Sequence, residues 1–224
     1  MSRDPWRDSI RVARGDPVAL SAVLDELPAD GLQHAGNAAM TIPSGLVSDA
    51  ILVKLVRTLR ERAWIGDDDE LASAIERQHL GFETAELIRV SVSLEDLAEV
   101  LDESFASESF IDLESGVVWA GELLDLDQGP NDFDPDADER WMPVVGLGPS
   151  VEVENMERFV ATISDEQLAR RLTDVISRPG AFRRFRSVLE RAPEQFTRWH
   201  RFRSDAWLGQ ARHWLAARGY EPTN

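Results

Sequence analysis

Aromatic residues recur at helical spacing near the end of the chain, and this pattern constrains the fold more strongly than any other feature of the sequence. At 100° per residue, Phe196, Trp199, Trp207 and Trp214 lie on one face of a helix over residues 194–217. This spacing is typical of a core-facing helix and differs from the platforms on which nucleic-acid bases stack. The pattern therefore predicts a long helix that packs its aromatic face into a hydrophobic core.

One residue, Arg203, interrupts this aromatic face. A guanidinium group among tryptophans is costly to bury without a counter-charge. Two explanations are open: the helix breaks near Ser204, or Arg203 is partly buried and needs a carboxylate partner. We favour the second explanation.

Arginines on the C-terminal helices form the candidate binding site. One predicted helix covers residues 182–191, with its phenylalanines on one face and arginines on the rest, and Arg198 and Arg201 lie opposite the aromatic face of the next helix. The candidate partner-binding residues are Arg183, Arg184, Arg186, Arg191, Arg198 and Arg201. They form either a patch for a phosphate or an acidic partner, or a solvated face with internal pairs to Glu190, Glu194 and the acidic middle of the chain.

Charge is distributed unevenly along the chain. Net charge is −17 in total: −4 over residues 1–80, −19 over 81–165 and +6 over 166–224. The total disfavours binding of the whole protein to nucleic acid or to an anionic membrane. Two interpretations are open: the acidic middle and the basic end face each other within the fold, or the basic end is a surface for an acidic partner.

The first 82 residues have the pattern of a helical segment. Apolar periodicity and capping residues predict helices over 6–13, 18–27 and 46–63, and a further helix that starts at the acidic run 67–70 and ends at Gly81. Residues 29–45 are rich in turn formers and give no clear pattern.

From residue 85 onward the pattern is mixed. Alternating β-branched residues predict strands at 87–92 and 141–145, and Ser115-Gly116 predicts the turn of a hairpin over 110–119. Further helices are predicted over 93–101, 151–163 and 166–176, and an acidic loop over 124–139. The chain is therefore expected to be an α+β protein, with a helical N-terminal segment (1–82) and a second domain (86–222) in which a small antiparallel sheet is packed by C-terminal helices.

The second domain resembles a known family. The residues that carry this resemblance are the Gly180-Ala-Phe-Arg-Arg-Phe185 block, Trp199, Phe202, Trp214-Leu215, Gly219, Met156 with Phe159, and the hairpin 110–118. In this pattern residues 86–222 resemble the bacterial family of uncharacterised proteins UPF0158. His200 departs from it, since the family commonly has an aromatic pair at 199–200, which predicts a more polar position. The resemblance implies a class of protein and assigns neither an activity nor catalytic residues.

Motifs for metal or covalent chemistry do not emerge from the sequence. Asp132, Asp134, Asp136 and Asp138 alternate in the acidic loop, but an EF-hand counted from Asp132 would need glycine at position 6 and glutamate at position 12, where the chain has alanine and proline. The four histidines lack paired ligand spacing, and there is no cysteine. We therefore expect no bound metal and no cofactor.

Composition also bears on the compartment. The chain has no cysteine, its apolar runs are far shorter than the roughly 20 residues of a membrane span, and its first ten residues carry two aspartates in place of an apolar signal core. We expect a cytoplasmic protein without a membrane association.

These observations favour a binding or regulatory module without catalytic activity, which uses the C-terminal arginines to hold an acidic partner. Nucleic acid is disfavoured as that partner by the net charge. Two alternatives stay open. One is a hydrolase-type enzyme that uses clustered carboxylates with or without a divalent metal, and the other is an acidic mimic of nucleic acid formed by residues 81–165.

Overall fold

The computed structural model describes residues 5–62, 64, 67–83, 87–102, 108–126, 128–136 and 139–223. In this part of the chain the α-helices are α1 (Pro5–Ala13), α2 (Pro17–Asp25), α3 (Leu32–Met40), α4 (Asp49–Arg62), α5 (Asp67–Ile75), α6 (Leu94–Asp102), α7 (Gly121–Asp125), α8 (Pro149–Ala161), α9 (Glu166–Ile176), α10 (Ala181–Leu189) and α11 (Pro193–Ala216). The strands are β1 (Ile88–Val90), β2 (Ser109–Asp112), β3 (Val118–Trp119), β4 (Trp141–Val144) and β5 (Tyr220–Pro222). The α+β class predicted from the sequence is confirmed.

None of the described helices is both long and apolar enough to cross a membrane.

Helices α1 to α5 share one hydrophobic core, whose buried members all lie between Ile10 and Ile75. Helix α3 is the most enclosed of the five, although its sequence, within the turn-rich stretch 29–45, gave no helical prediction. Its polar residues Gln33, His34 and Asn37 are buried as well as its alanines. Tertiary hydrogen bonds from Gln33 Nε2 to the Asp67 carbonyl oxygen and to Asp68, and between His34 and Ser204, favour this buried helix over the loop-like composition.

A π-helical turn, Glu76–Leu80, continues α5 and ends at Gly81, whose φ of +72° is left-handed. The predicted helix end at this glycine is confirmed.

Two small sheets follow. Strand β2 lies between β3 and β4 and pairs antiparallel with both, so the predicted hairpin is confirmed. Strand β1 pairs in parallel with β5, with Ile88 opposite Tyr220. The sequence did not predict β5, since three residues after a long helix carry no strand pattern of their own. The predicted acidic loop begins later than expected, because its first residues belong to the short helix α7.

Helices α8 to α11 enclose an aromatic core. Phe159 contacts Trp199 and Phe202 edge-on, with ring centroids 5.1 and 5.2 Å apart, and Phe185 lies 5.0 Å from Trp199. This core buries the aromatic residues of the first half of α11 as the periodicity predicts, and each such pair adds about 0.5–1.5 kcal/mol to the burial of its surface.

The opposite face of α11 is buried too, against α3 and α5. Asp205 is 0% exposed, and its carboxylate lies 2.7 Å from Nη1 of Arg62 and accepts a hydrogen bond of 3.0 Å from the His34 backbone N–H. Arg62 also contacts Asp68 at 2.6 Å and stacks on Trp64, with its guanidinium carbon 3.6 Å from the ring centroid. This buried triad of Arg62, Asp68 and Asp205 joins the N-terminal segment to α11.

A second carboxylate, Asp67, lies beside the triad and is 0% exposed. Its Oδ2 accepts a hydrogen bond of 3.1 Å from Gln210 and lies 3.8 Å from Arg158, whereas its Oδ1 has no hydrogen-bond partner among the described residues. Helix α11 can lie this close to Asp67 because residue 209 is glycine: a Cβ there would lie 2.7 Å from Cβ of Asp67. Burial raises the pKa of Asp67 to about 7.

This pKa predicts a pH dependence of stability. Between its ordinary value of 3.8 and the folded value of about 7, the folded chain holds a proton that the unfolded chain has released, so the free energy of unfolding falls as the pH rises. Relative to that of Asp67→Asn, the free energy of unfolding of the wild type should fall by about 1 kcal/mol per pH unit across this window. Above the window the difference between the two proteins should stay constant. Urea unfolding from pH 4 to pH 9 measures the difference, and Asp69→Asn, at an exposed position, should follow the wild type. If the free energies of unfolding of the wild type and of Asp67→Asn changed in parallel with pH, the raised pKa of Asp67 would be contradicted.

The hairpin turn gives a second prediction. Gly116 has a φ of +76°, and a Cβ there would lie 1.4 Å from the Ser91 carbonyl oxygen, whereas Gly45 has a φ of +83° with nothing within 4 Å. Gly45→Ala should therefore cost only the backbone strain, about 1 kcal/mol. Gly116→Ala should cost at least about 2 kcal/mol more, because the neighbouring backbone must move. Thermal unfolding measures the loss of stability in each variant. Equal losses would show that the close contact between Gly116 and the Ser91 backbone does not affect stability.

Candidate functional site

An open groove of about 900 Å³ is lined by α1, α10 and α11, with further residues from α3, α6 and α8. Six of the described arginines line it: Arg7 and Arg11 from α1, Arg14 just after α1, Arg186 from α10, and Arg201 and Arg203 from α11. The carboxylates in the lining are Asp8, Glu95, Glu152 and Glu190. The described lining thus holds two more arginines than carboxylates, and Asp30 and Asp102 next to it pair with Arg201 and Arg203.

Aromatic rings form the apolar part of this lining. Phe185 and Trp199 are buried in the C-terminal core, with one side facing the groove, while Phe182 is 46% exposed at its edge. Phe196 contacts the ring of His200 edge-on at 4.6 Å between centroids. A ligand in the groove would thus meet apolar rings as well as cationic groups.

Helix α1 presents its arginines because it is amphipathic. Ile10 and Ala13 are buried in the N-terminal core, and Arg7 and Arg11 of the helix and Arg14 just after it recur at intervals of four and three residues on the groove side. Arg14 binds Glu95 at 2.7 Å, and Arg11 lies 3.6 Å from Asp8. Among the described residues Arg7 forms neither a hydrogen bond nor an ion pair, so its donors are free for a ligand.

The charge of the groove acts on His200, which is exposed in its lining. The pKa of this imidazole is lowered by partial burial, and then by the nearby guanidinium groups of Arg186, Arg203 and Arg7. This shift favours the neutral imidazole, and its ring nitrogens are a polar element at the position where the sequence predicted one.

Arg203 is held in place by two carboxylates. Helix α11 continues unbroken through Ser204; Nε of Arg203 lies 2.5 Å from Glu152, and its Nη2 bonds both oxygens of Asp102, at 2.7 and 2.5 Å. The prediction of a partly buried arginine with a carboxylate partner is confirmed. Glu152 also accepts a hydrogen bond of 3.0 Å from the Trp207 indole, so both of its oxygens are engaged.

The structure separates the six arginines that the sequence grouped. Arg186 and Arg201 line the groove, whereas the exposed Arg183, Arg184 and Arg191 lie outside it. Arg198 and Arg201 each contact Asp30, at 3.1 and 3.2 Å, and so tie α11 to the chain just before α3.

The sequence gave no indication of Arg7, Arg11 and Arg14 as site residues. They lie some 170 positions from Arg186 in the chain, and only the fold brings them together. The regular spacing of arginines on an amphipathic first helix was the one signal available.

The acidic loop is partly held by Arg140. This arginine bonds both oxygens of Asp112 at 2.7 Å and Asp132 at 2.8 Å, and it holds the pKa of Asp112 well below its usual range. Asp138, the fourth aspartate of the alternating run, lies outside the described residues. Across the described part of the chain, no three histidine or acidic side chains are grouped closely enough to hold a metal ion.

Comparisons of this chain with models of protein families, with curated proteins and with solved structures give no match. The resemblance of residues 86–222 to a bacterial family stays a prediction from the sequence, and function has to be argued from the geometry of the groove.

The Arg203 cluster makes a testable prediction. A double-mutant cycle with Arg203→Met and Glu152→Gln should give a coupling energy of about 1–2 kcal/mol in urea unfolding, because the pair is largely shielded from water. The exposed pair of Arg186 and Glu190, at 3.1 Å, is the matched control and should couple by less than about 0.5 kcal/mol. Equal coupling in both cycles would mean that burial adds nothing to the Arg203 pair.

Proposed function

We propose that this protein is a binding or regulatory module that captures an acidic protein segment in the groove lined by α1, α10 and α11. The observation that carries the proposal is the composition of the lining, in which six arginines outnumber four carboxylates around a set of aromatic rings. Arginine forks bind carboxylates through paired N–H donors, and aromatic rings bind apolar side chains. The groove thus matches a segment in which acidic residues alternate with large apolar ones.

Electrostatics supports a protein segment over a nucleic acid as the occupant. A nucleic acid presents a long row of phosphates, and most of it would lie outside the groove against a protein of net charge −17. A short acidic segment places its charge within the groove only. The free donors of Arg7 are the first contact that we assign to it.

The wider assignment follows the sequence. We place the protein in the cytoplasm, and we propose that its second domain is related to the uncharacterised bacterial family that it resembles. Neither assignment is needed for the binding proposal, which depends on the groove.

The test compares two charge reversals. Arg7→Glu with Arg186→Glu changes the groove, and Arg183→Glu with Arg184→Glu makes the same change in charge on exposed arginines outside it. The probe is a fluorescent peptide of alternating glutamate and phenylalanine, with a glutamate–serine peptide and a lysine–phenylalanine peptide for comparison. Fluorescence anisotropy at low salt should show tightest binding of the glutamate–phenylalanine peptide to the wild type.

In the groove variant the affinity for this peptide should fall at least about tenfold, since two attractive charges become repulsive. The variant outside the groove should bind like the wild type. Loss of binding in that control with retention in the groove variant would overturn the proposal and move the site to the outer surface of α10. Tighter binding of a single-stranded oligonucleotide than of any peptide would overturn the class of partner.

A further inference from the structure

A second cavity, of about 110 Å³, lies away from the groove among α5 with its π-helical turn, β1, α11 and β5. Its charged lining residues are Arg77, Arg89, Arg212 and Glu221. Three guanidinium groups therefore meet a single carboxylate around a cavity of a few water volumes.

Arg212 is the unusual member of this set. It is 3% exposed, its Nη2 donates a hydrogen bond to Oδ1 of Asn37, and its buried Nε has no partner among the described residues. It forms no ion pair with any carboxylate in the described part of the chain. Burial lowers its pKa to about 10, so the group still carries its charge at pH 7. The carboxylates of Glu221, Glu70 and Glu95 attract this cation from beyond ion-pair distance. A buried guanidinium without a direct ion pair is stabilised further when an anion binds to it.

The carboxylate of Glu221 does not fill this role. It contacts Nη2 of Arg77, and it lies 3.2 Å from Nε of Arg89. The other polar side chains of the lining are engaged as well: Gln78 donates to the Met40 and Ile42 carbonyl oxygens, and Thr223 donates to the Val90 carbonyl oxygen. Among the described lining residues, the buried polar atom left without a hydrogen-bond partner is therefore Nε of Arg212.

We propose that this cavity binds a small oxyanion of the size of phosphate or sulfate, with Arg212 as its innermost ligand. The planar N–H fork of arginine suits a tetrahedral oxyanion, and the cavity volume accommodates one such ion. A larger cavity of about 300 Å³ adjoins it and shares Arg77, Arg212 and Glu221, but it also contains Asp69 and Glu70. These acids disfavour an extended polyanion, so the ligand is a single small oxyanion.

The experiment is calorimetric titration of the full chain with sodium phosphate at pH 7, with sodium chloride replacing phosphate at equal ionic strength as the reference. The wild type should show saturable heat with phosphate and with sulfate, and none with chloride. Arg212→Gln should weaken phosphate binding at least tenfold, and Arg89→Gln should weaken it to a smaller extent. Arg57→Gln, which removes an exposed charge that pairs with Glu61 on α4, is the matched control and should bind like the wild type.

Glu221→Gln provides the decisive opposite change. It removes the negative charge from the lining, so phosphate should bind about tenfold more tightly than to the wild type. Circular dichroism shows whether each variant is folded, and if Arg212→Gln is not, the opposite shifts expected for Glu221→Gln and Arg89→Gln decide the question. Absence of saturable phosphate heat in the wild type, or an affinity that Glu221→Gln leaves unchanged or weakens, would overturn the proposal.

Discussion

The buried ion triad of Arg62, Asp68 and Asp205 holds the two parts of the chain in one arrangement. Its charges have left water, so the triad is stable only while all three groups are present, and removal of one would cost about 3–5 kcal/mol because it leaves a buried charge unpaired. The groove depends on this junction. Arg7 lies on a helix of the N-terminal core and Arg186 on the C-terminal helices, so the lining depends on the contacts that join these parts. The triad is one of them, and the pairs of Asp30 with Arg198 and Arg201 are others.

The distribution of charge is the second organising feature. Most arginines of α11 neutralise specific carboxylates, as Arg198 and Arg201 do with Asp30 and Arg203 does with Glu152 and Asp102. Arg203 thus joins the basic end to the acidic middle, as one of the two interpretations of the charge pattern required, whereas Asp30 lies in the N-terminal segment. Among the described arginines that form no ion pair, Arg7 lines the groove and Arg212 lines the small cavity, while Arg183, Arg184 and Arg191 are exposed outside both. Contacts in the groove would weaken with salt, because several of its arginines are exposed to solvent.

Local patterns predicted much of the fold, while the site depended on distant contacts. The aromatic periodicity of α11 and the Ser115-Gly116 turn are properties of short stretches, and the structure confirms both. The need of Arg203 for a carboxylate followed from its place on a helix face, although the sequence could not identify Glu152, which lies on another helix. Helix α3 and strand β5 were missed because burial and pairing with β1, rather than composition, create them. Arg7 and Arg11 of α1, and Arg14 just after it, entered the site through packing alone.

The order of chain synthesis gives the triad a further consequence. Arg62 and Asp68 are six residues apart and meet as soon as α4 and α5 pack, whereas Asp205 follows 143 residues after Arg62. During translation the N-terminal core can collapse around its aliphatic residues long before α11 exists, and its polar surface at Asp67 and Asp68 then stays hydrated. Docking of α11 is therefore a late event, because it forms contacts between residues far apart in the chain. It removes from water the carboxylates of Asp67 and Asp68, which had been hydrated until then. Between the synthesis of α11 and its docking, a chaperone that recognises exposed apolar surface would meet the aromatic face of α11 rather than the N-terminal core.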